Sequence, residues 1–571
     1  MNDEILIKDI YWDRIYLNIE LTGKNLDNKM FMIATKKDAF SYPLTFHPEK
    51  NMIVINITNI NNREMLDNRT WYIKYKNDNY ANELIIYEKE YEEYLQEKNS
   101  NHIQDMDIKA PLKPLEWIPI PISIDLGYKL AHLDKVYRYA GTTYAYVISF
   151  SANKFREKLI CTLTTTFMVK NNNPHKRYFN IETKKWKKRI KKRIIYYAEL
   201  FNNFIYQILS RLFPKKGDKI LLMSETRAPI SGNLKVLNEY LIEHQLDKKF
   251  KISYYFTKTL EKRRSRIFFI WLKLAFLTAK QDFIFVDDYS PFFKYITLHP
   301  KTKLIQVWHA GVGFKSVGYA RFGEKGSPYP FDTPHRKYSY TIVGGQALQE
   351  VYAEAFGIDE KDCLPYGVMR IDGYMDKQKI SDFKKSFYQE YPQFQNKKII
   401  LFAPTFRGTG QRSAHYPYKN LDFKQIYDMC ADEYIFLIKM HPFITKLPDI
   451  PVEFQDKIID FSSFPDINQL FYVTDILITD YSSNIYEFSL QKKPIIFYAF
   501  DKDEYELLRS VHRRLDDDAP GKVCQTFEEV IDTIHKKDFQ LEKLELFVKK
   551  NFDDSHLSSC EQVVNNILNA K

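Results

Sequence analysis

Two periodicities divide the chain. Up to about Met168 apolar and polar residues alternate: Ile15, Leu17, Ile19 and Leu21 are interleaved with Tyr16, Asn18 and Glu20, and Ile53, Ile55 and Ile57 repeat the pattern. A period of two places every second side chain on one face, so these runs predict half-buried β-strands. Residues 84–87 and 144–148 read as further strands. An antiparallel sandwich is the expected solution, and nothing in it looks catalytic.

The next pattern is helical. After a polar linker, NNNPHKRYFN, residues Ile190, Ile194, Tyr197, Phe201, Phe204, Ile208 and Leu212 recur at steps of three and four. They line one face of a helix. Its start carries Lys184, Lys185, Lys187, Lys188, Arg189, Lys191, Lys192 and Arg193. Such a helix suits an anionic membrane surface, where each basic residue contributes on the order of 1 kcal/mol. The same pattern fits a helix packed on the protein with its basic end in water. The segment from Arg263, Arg264 and Arg266 into residues 267–277 is either a second membrane contact or a buried core helix.

From Lys219 onward short apolar runs alternate with helical patterns. KILLMSE, FKISYYF, DFIFVDD, LIQVWHA and YTIVGG form one set; KIILFAPTF, YIFLIKMHP, KIIDF, DILITDY and PIIFYAF form another. Strands apolar on both faces predict parallel sheets covered by helices on either side. The fold expected is α/β, a GT-B-like pair of Rossmann-like domains facing across a cleft, preceded by the β-rich, sandwich-like domain. Boundaries are expected at 1–168, 169–216 (linker and basic helix), 217–375 and 376–571, with a hinge within 367–382.

Composition narrows the possibilities. A chain of 571 residues with 44% hydrophobic content can bury several cores. Its five cysteines lack CxxC spacing, which fits reduced thiols in a cytosolic compartment. The start, MNDEILIKDI, has no signal-peptide layout. No apolar run approaches the roughly 18–20 residues that span a bilayer. Eight of the ten residues 184–193 are basic, so most of the net charge of +11 is local. A nucleic-acid binder would need aromatic-interleaved basic strands or a recognised module, and neither is present.

Candidate chemistry clusters at strand ends. In DILITDYSSNIYEF, Asp480, Ser482 and Ser483 follow a buried strand and precede a helix-like run holding Glu487. Helix starts of this kind accept anions on their free N–H groups. LFAPTFRG places Thr405 and Arg407 past another strand, and IKMHP does the same with Lys439 and His441. Hydroxyls, cations and an imidazole at three strand ends suggest a seat for a phosphorylated ligand. In VWHAGVGFKSVGYARFG, His309 follows a strand, with Lys315 and Arg321 in the Gly-spaced loop beyond. A histidine with its ordinary pKa near 6.5 can take a hydroxyl proton at neutral pH. Zinc-type, serine hydrolase and Walker A signatures are missing, and the Asp287-Asp288 pair alone makes no metal site.

At these motifs the chain resembles the CDP-glycerol/CDP-ribitol phosphotransferases that polymerise teichoic acid in Gram-positive bacteria. The matching pieces are MSETRAPISGN, FIFVDD, IQVWHAGVGFKSVGYARFG, YAEAFGI, LFAPTFRGTG, IKMHPF and TDYSSNIYEFSLQKKPIIFYAFD. Trp308-His309-Ala310-Gly311 is similar to the ribitol-type branch, where glycerol-type members usually carry Trp-His-Gly. The resemblance implies catalysis by His309 and His441. It implies donor phosphates held by Ser482, Ser483 and Arg407, with Thr405, Lys439, Asp480 and Glu487 grouped beside them and Lys315 and Arg321 in the acceptor or cleft loop. It implies an acceptor-side domain over 217–375 and a donor-side domain over 376–571. CDP-ribitol or CDP-glycerol would be the donor and an undecaprenyl-diphosphate-linked teichoic acid the acceptor. The protein would lie peripherally on the cytoplasmic face of the membrane, use no cofactor and no chelated metal, bind no nucleic acid, and could be a homo-oligomer. A GT-B glycosyltransferase building a cell-surface or capsular polysaccharide from nucleotide sugars would share this fold and phosphate seat.

Overall fold

The computed structural model describes residues 5–60, 63–100, 111–139, 144–168, 186–258, 264–308, 316–324, 327–330, 333–372, 374–408, 413–509, 512–552 and 558–570. It divides into two compact units, Met1–Glu182 with Phe322–Phe331, and Thr183–Arg321 with Asp332–Lys571.

The first unit is built of antiparallel sheets. One runs Leu6–Asp13, Tyr16–Thr22, Met52–Asn56, Phe46–His47. The other runs Ser41–Leu44, Phe31–Ala34, Thr70–Lys76, Lys158–Met168, Tyr144–Phe155, Lys135–Tyr139, with Trp117–Pro119 paired to Thr70–Lys76. The alternating residues Leu17, Ile19, Ile53 and Ile55 are buried. Trp71 is fully buried and donates its indole N–H to Thr165 Oγ1 at 2.9 Å.

One expected strand is a helix. Residues 84–87 lie inside the helix Tyr80–Ser100. The apolar-looking run is one turn of a longer pattern in which Tyr80, Leu84, Tyr87, Tyr91 and Tyr94 recur every three or four residues, among Glu and Lys that favour helix. The rings of Tyr87, Tyr91 and Tyr94 stack along it at 5.5 and 6.0 Å.

A segment from the middle of the chain also joins this unit. Phe322 lies on Tyr137 and Tyr139 with ring centroids 5.4 and 6.3 Å away, and Tyr329 meets the edge of Tyr139. The α/β domain expected over 217–375 is therefore interrupted at 322–331.

The second unit holds two six-stranded parallel sheets. The first is ordered Lys251–Phe256, Lys219–Ser224, Phe283–Val286, Lys303–Gln306, Tyr340–Ile342, Cys363–Leu364, or 2-1-3-4-5-6 in chain order. The second is ordered Ile458–Asp460, Tyr434–Ile438, Lys398–Phe402, Ile476–Thr479, Ile495–Tyr498, Lys522–Cys524, or 3-2-1-4-5-6. All ten apolar runs read from the sequence are strands. Two of the four edge strands, Cys363–Leu364 and Lys522–Cys524, were not among the runs read from the sequence.

Each central strand feeds two cores. Ile399 and Leu401 pack with Leu437, Leu477 and Phe497, whereas Ile400 and Phe402 pack on the other face with Phe436, Ile438 and Ile478. Burial on both sides is why these strands show no polar alternation. The chain leaves the first sheet at Leu364 and starts the helix Lys377–Glu390, capped by Asp376, in the second core. It then returns: Cys560, Val563, Ile567 and Leu568 pack against Ile220, Leu222, Leu234 and Leu237 of the first sheet's layer. Asp372 holds this tail by accepting the N–H groups of Ser559 and Cys560, both at 2.9 Å. The end of the expected 376–571 domain thus belongs to the other lobe.

Gly318 lies in the left-handed region at φ 54°, and a Cβ there would sit 1.8 Å from the Ala355 carbonyl oxygen of the helix Gln349–Phe356. Gly318→Ala is expected to cost more than about 1 kcal/mol, because both backbone strain and a backbone clash oppose it. A lower urea midpoint at unchanged slope would report it.

Candidate active site

In open parallel sheets, ligands sit at the carboxyl ends of strands where the strand order reverses. In the second sheet that point lies between Lys398–Phe402 and Ile476–Thr479, and Thr405, Arg407, Asp480, Ser482 and Ser483 follow these two strands. Asp480 is fully buried and accepts from the Thr405 backbone N–H (2.7 Å), Thr405 Oγ1 (3.0 Å) and Arg407 Nη1 (2.8 Å). Arg407 turns its other edge to Asp501, with Nε to Oδ2 at 2.6 Å and Nη2 to Oδ1 at 2.9 Å. Tyr416, Tyr481, Phe500 and Tyr505 surround the guanidinium at 5.1–5.9 Å. Burial opposes its charge, but Asp480 and Asp501 outweigh that and hold its pKa above the ordinary value.

Arg407 directs Nε, Nη1 and Nη2 at Asp480, Asp501 and the Thr405 carbonyl. It braces the loops after three neighbouring strands. Asp480 and Thr405 belong to the same brace. Asp501 completes it and was not singled out from sequence, although it closes the PIIFYAFD run.

Ser482 accepts from the Asn484 N–H at 3.3 Å, and Ser483 is the N-cap of the helix Asn484–Ser489 without a side-chain capping bond. That helix has six residues, so it offers first-turn N–H groups more than an extended dipole. Glu487 is buried and paired with Arg370, which arrives from the first sheet's last connection. Burial pulls the Arg370 pKa down to about 10. Glu487 is therefore a link between the two halves of the unit.

Lys439 follows the strand Tyr434–Ile438 and donates to the Ser462 carbonyl at 2.7 Å, and burial lowers its pKa. His441, two residues on, is half-buried between the rings of Phe406 and Phe443, each 4.8 Å away. Its Nδ1 accepts the Phe443 N–H at 3.1 Å, so a neutral ring carries its proton on Nε2.

The first sheet reverses between Lys219–Ser224 and Phe283–Val286. Thr226 Oγ1 donates to Asp288 at 2.9 Å, Arg227 stands 3.5 Å from Asp287, and buried Glu225 accepts from Ser290 and from the Phe292 N–H. Burial raises the Glu225 pKa. Sequence reasoning gave these residues no role, although they lie in MSETRAPISGN and FIFVDD.

His309 and Lys315 lie outside the described residues, so the geometry stops at their neighbour. Trp308 is in the left-handed region at φ 48°, a conformation that costs a bulky residue about 1–3 kcal/mol. Its N–H donates to Gln306 Oε1 at 2.8 Å, and its carbonyl accepts from Asn233 at 2.7 Å. Arg321 ends the short turn Gly318–Arg321 and is partly exposed. Among the described residues no group of three or more His, Cys, Asp or Glu is placed to hold a metal ion.

The basic amphipathic helix spans Trp186–Leu212. Lys184 and Lys185 lie outside the described residues; Lys187, Lys188, Arg189, Lys191, Lys192 and Arg193 fall within the helix's first turns. Its buried face is polar: Glu199, Asn202, Tyr206 and Ser210 turn inward. Tyr206 accepts from the His299 N–H at 3.2 Å, and Asn203 from the Thr297 N–H at 2.9 Å. All seven residues of the apolar stripe, from Ile190 to Leu212, face outward with 41–69% exposure. The helix Arg264–Ala279 lies alongside and adds exposed Phe269 and Phe276, while its Leu274 and Ala275 enter the core. Among the described residues no helix is long and apolar enough to cross a membrane.

Comparison with known proteins places the chain in a family. The model of CDP-Glycerol:Poly(glycerophosphate) glycerophosphotransferase matches residues 204–569, so the chain belongs to that family. It is 31% identical to the teichoic acid ribitol-phosphate polymerase TarL of Staphylococcus aureus over 99% of both chains. It is 38% identical to the teichoic acid poly(ribitol-phosphate) polymerase of Bacillus spizizenii over 64% of this chain, which spans 58% of that protein's length. Among solved structures, a variant of the wall teichoic acid polymerase TagF aligns with a TM-score of 0.52 at 19% identity, covering 67% of this chain and 95% of that one. The fold is shared with TagF.

Arg407→Met would leave two buried carboxylates without their cation and is expected to destabilise the protein by about 3–5 kcal/mol. Adding Asp480→Asn should recover part of that loss. Urea unfolding of the single and double variants measures the coupling.

Proposed function

We propose that the protein transfers alditol phosphate, ribitol phosphate in preference to glycerol phosphate, from a CDP-alditol to the terminal hydroxyl of a lipid-linked teichoic acid chain, releasing CMP. The observation that carries this reading is the end-to-end similarity to a ribitol-phosphate polymerase, in a chain whose family match spans both parallel sheets. The two sheets would face each other across a cleft, the first receiving the acceptor and the second the donor.

In this reading His309 removes the proton from the acceptor hydroxyl as its oxygen attacks the alditol-bearing phosphorus. The new phosphodiester forms as the bond to CMP breaks, and CMP leaves with the electron pair. His441 Nε2–H and the first-turn N–H groups beyond Ser482 and Ser483 donate to the phosphate oxygens. Such preorganised donors are worth roughly 3–4 kcal/mol each when aimed at developing charge. Lys439 adds positive potential from behind, and Arg407 acts by holding the loops in place. No step calls for a chelated metal.

The outward apolar stripe and the basic first turns support docking on the cytoplasmic membrane surface, where the lipid-linked acceptor ends. A helix that turned its stripe inward would need its polar residues outside, and the opposite holds here.

Two experiments test the proposal. Full-length protein offered CDP-ribitol, CDP-glycerol and UDP-sugars with a lipid-linked primer should release CMP. UDP release instead would assign it to glycosyl transfer. His309→Ala should lose at least about 100-fold in CMP release while still binding CDP-ribitol. Separately, Phe204→Glu with Ile208→Glu should weaken binding to phosphatidylglycerol vesicles at least about tenfold without lowering the melting temperature. Unchanged sedimentation with vesicles would reassign the stripe.

A further inference from the structure

Ser462 lies two residues past the strand Ile458–Asp460, in the loop beside the turn that carries His441. Three of its polar groups are engaged. Its N–H donates to Asp460 Oδ1 at 2.8 Å, its Oγ accepts the Met440 N–H at 3.1 Å, and its carbonyl accepts from Lys439 Nζ at 2.7 Å. Ser462 therefore holds both residues that precede His441, Met440 through its side chain and Lys439 through its backbone. Met440 is 2% exposed, so its N–H must find an acceptor within the protein. The sheet supplies the frame: the Lys439 N–H reaches the Phe402 carbonyl at 2.9 Å, and the Phe461 N–H reaches the Ile438 carbonyl at 2.8 Å.

Beyond Met440 the turn closes on itself. The His441 carbonyl accepts the Ile444 N–H at 2.9 Å, its Nδ1 accepts the Phe443 N–H at 3.1 Å, and its ring lies between those of Phe406 and Phe443. These contacts set the imidazole within its own turn. Met440 and Ile444 anchor that turn in the core beneath, but apolar packing is non-directional. The hydrogen bond from Met440 to Ser462 Oγ is directional, and it acts on the residue next to the imidazole.

We propose that Ser462 is a positioning residue for His441, itself set by Asp460, so that one serine fixes the course of the chain into the imidazole and the direction of the Lys439 ammonium. The proposal rests on the reading of His441 as a donor to the phosphates. A shift of about an ångström in such a group can cost on the order of 100-fold in rate.

The test uses full-length protein with anionic vesicles, CDP-ribitol and a lipid-linked primer. Ser462→Ala, which strands the Met440 N–H, should lower kcat by about 10- to 100-fold, with the affinity for CDP-ribitol, measured by calorimetry, changed less than about threefold. Ser462→Thr keeps the hydroxyl and should recover most of that loss. Asp460→Asn keeps an acceptor for the Ser462 N–H and should stay closer to wild type than Asp460→Ala. A double-mutant cycle separates positioning from general support: in a His441→Ala background, Ser462→Ala should change the residual kcat less than about twofold, because nothing is left to position. Equal losses in the two backgrounds, a kcat retained in Ser462→Ala, or a loss equal to the loss of folded protein overturns the positioning role. Should Ser462→Ala fail to fold, Asp460→Ala against Asp460→Asn decides through the same cycle. A His441→Ala variant as fast as wild type removes His441 from the reaction and the proposal with it. If wild type releases no CMP from any CDP-alditol, the reaction reading falls by itself, and hydrogen exchange in Ser462→Ala decides. Faster exchange in the peptide covering residues 434–443, with Lys219–Ser224 unchanged, keeps Ser462 as the residue that sets the turn; unchanged exchange there overturns it.

Discussion

The pairing of Arg407 with Asp480 and Asp501 is the constraint on which the strand-end loops of the second sheet depend. Three adjacent strands, Lys398–Phe402, Ile476–Thr479 and Ile495–Tyr498, end side by side, and one guanidinium ties the loops that follow them. Burying a lone arginine is prohibitive, but two carboxylates in bidentate and single contacts, the Thr405 hydroxyl and an aromatic wall offset the desolvation. The walls also exclude water, which strengthens each contact. Loops held in this way fix the turn that carries Ser482 and Ser483, directly after Asp480.

A second set of buried polar links joins the two sheets of the larger unit. Arg370 meets Glu487, His512 meets Glu354 at 2.7 Å, and Asp372 caps the returning C-terminal helix. Buried polar pairs add little net stability compared with apolar packing, yet they penalise any arrangement that leaves a member unpaired. Their value lies in specifying one geometry.

The helix Trp186–Leu212 shows the same logic inverted. Its inward face is stitched to the Thr297–His299 backbone by polar side chains, and its apolar stripe faces outward. The hydrophobic pattern alone states that the stripe is buried somewhere. It does not say whether protein or lipid covers it.

How much could be read in advance follows from how local each feature is. The ten strands were legible because burial on both faces makes a short run continuously apolar, and the runs placed Thr405, Arg407, Lys439, His441, Asp480, Ser482 and Ser483 just past strand ends, where the structure has them. The helix Tyr80–Ser100 was misread where four residues were taken without the turns around them. Asp501, Asn233 and Arg370 carried no local signal, since an Asp, an Asn or an Arg near a strand or helix end is ordinary.

Strand content, the parallel class of the sheets and the list of polar residues at their ends are therefore properties of the chain itself, because they depend on neighbours within a few residues. The employment of those residues is decided only in three dimensions. Whether an arginine faces solvent, a phosphate or two carboxylates depends on residues 73 and 94 positions away. Desolvation and hydrogen-bond geometry, which no linear pattern encodes, made Arg407 a brace, Glu487 a link between the sheets and the apolar stripe a surface.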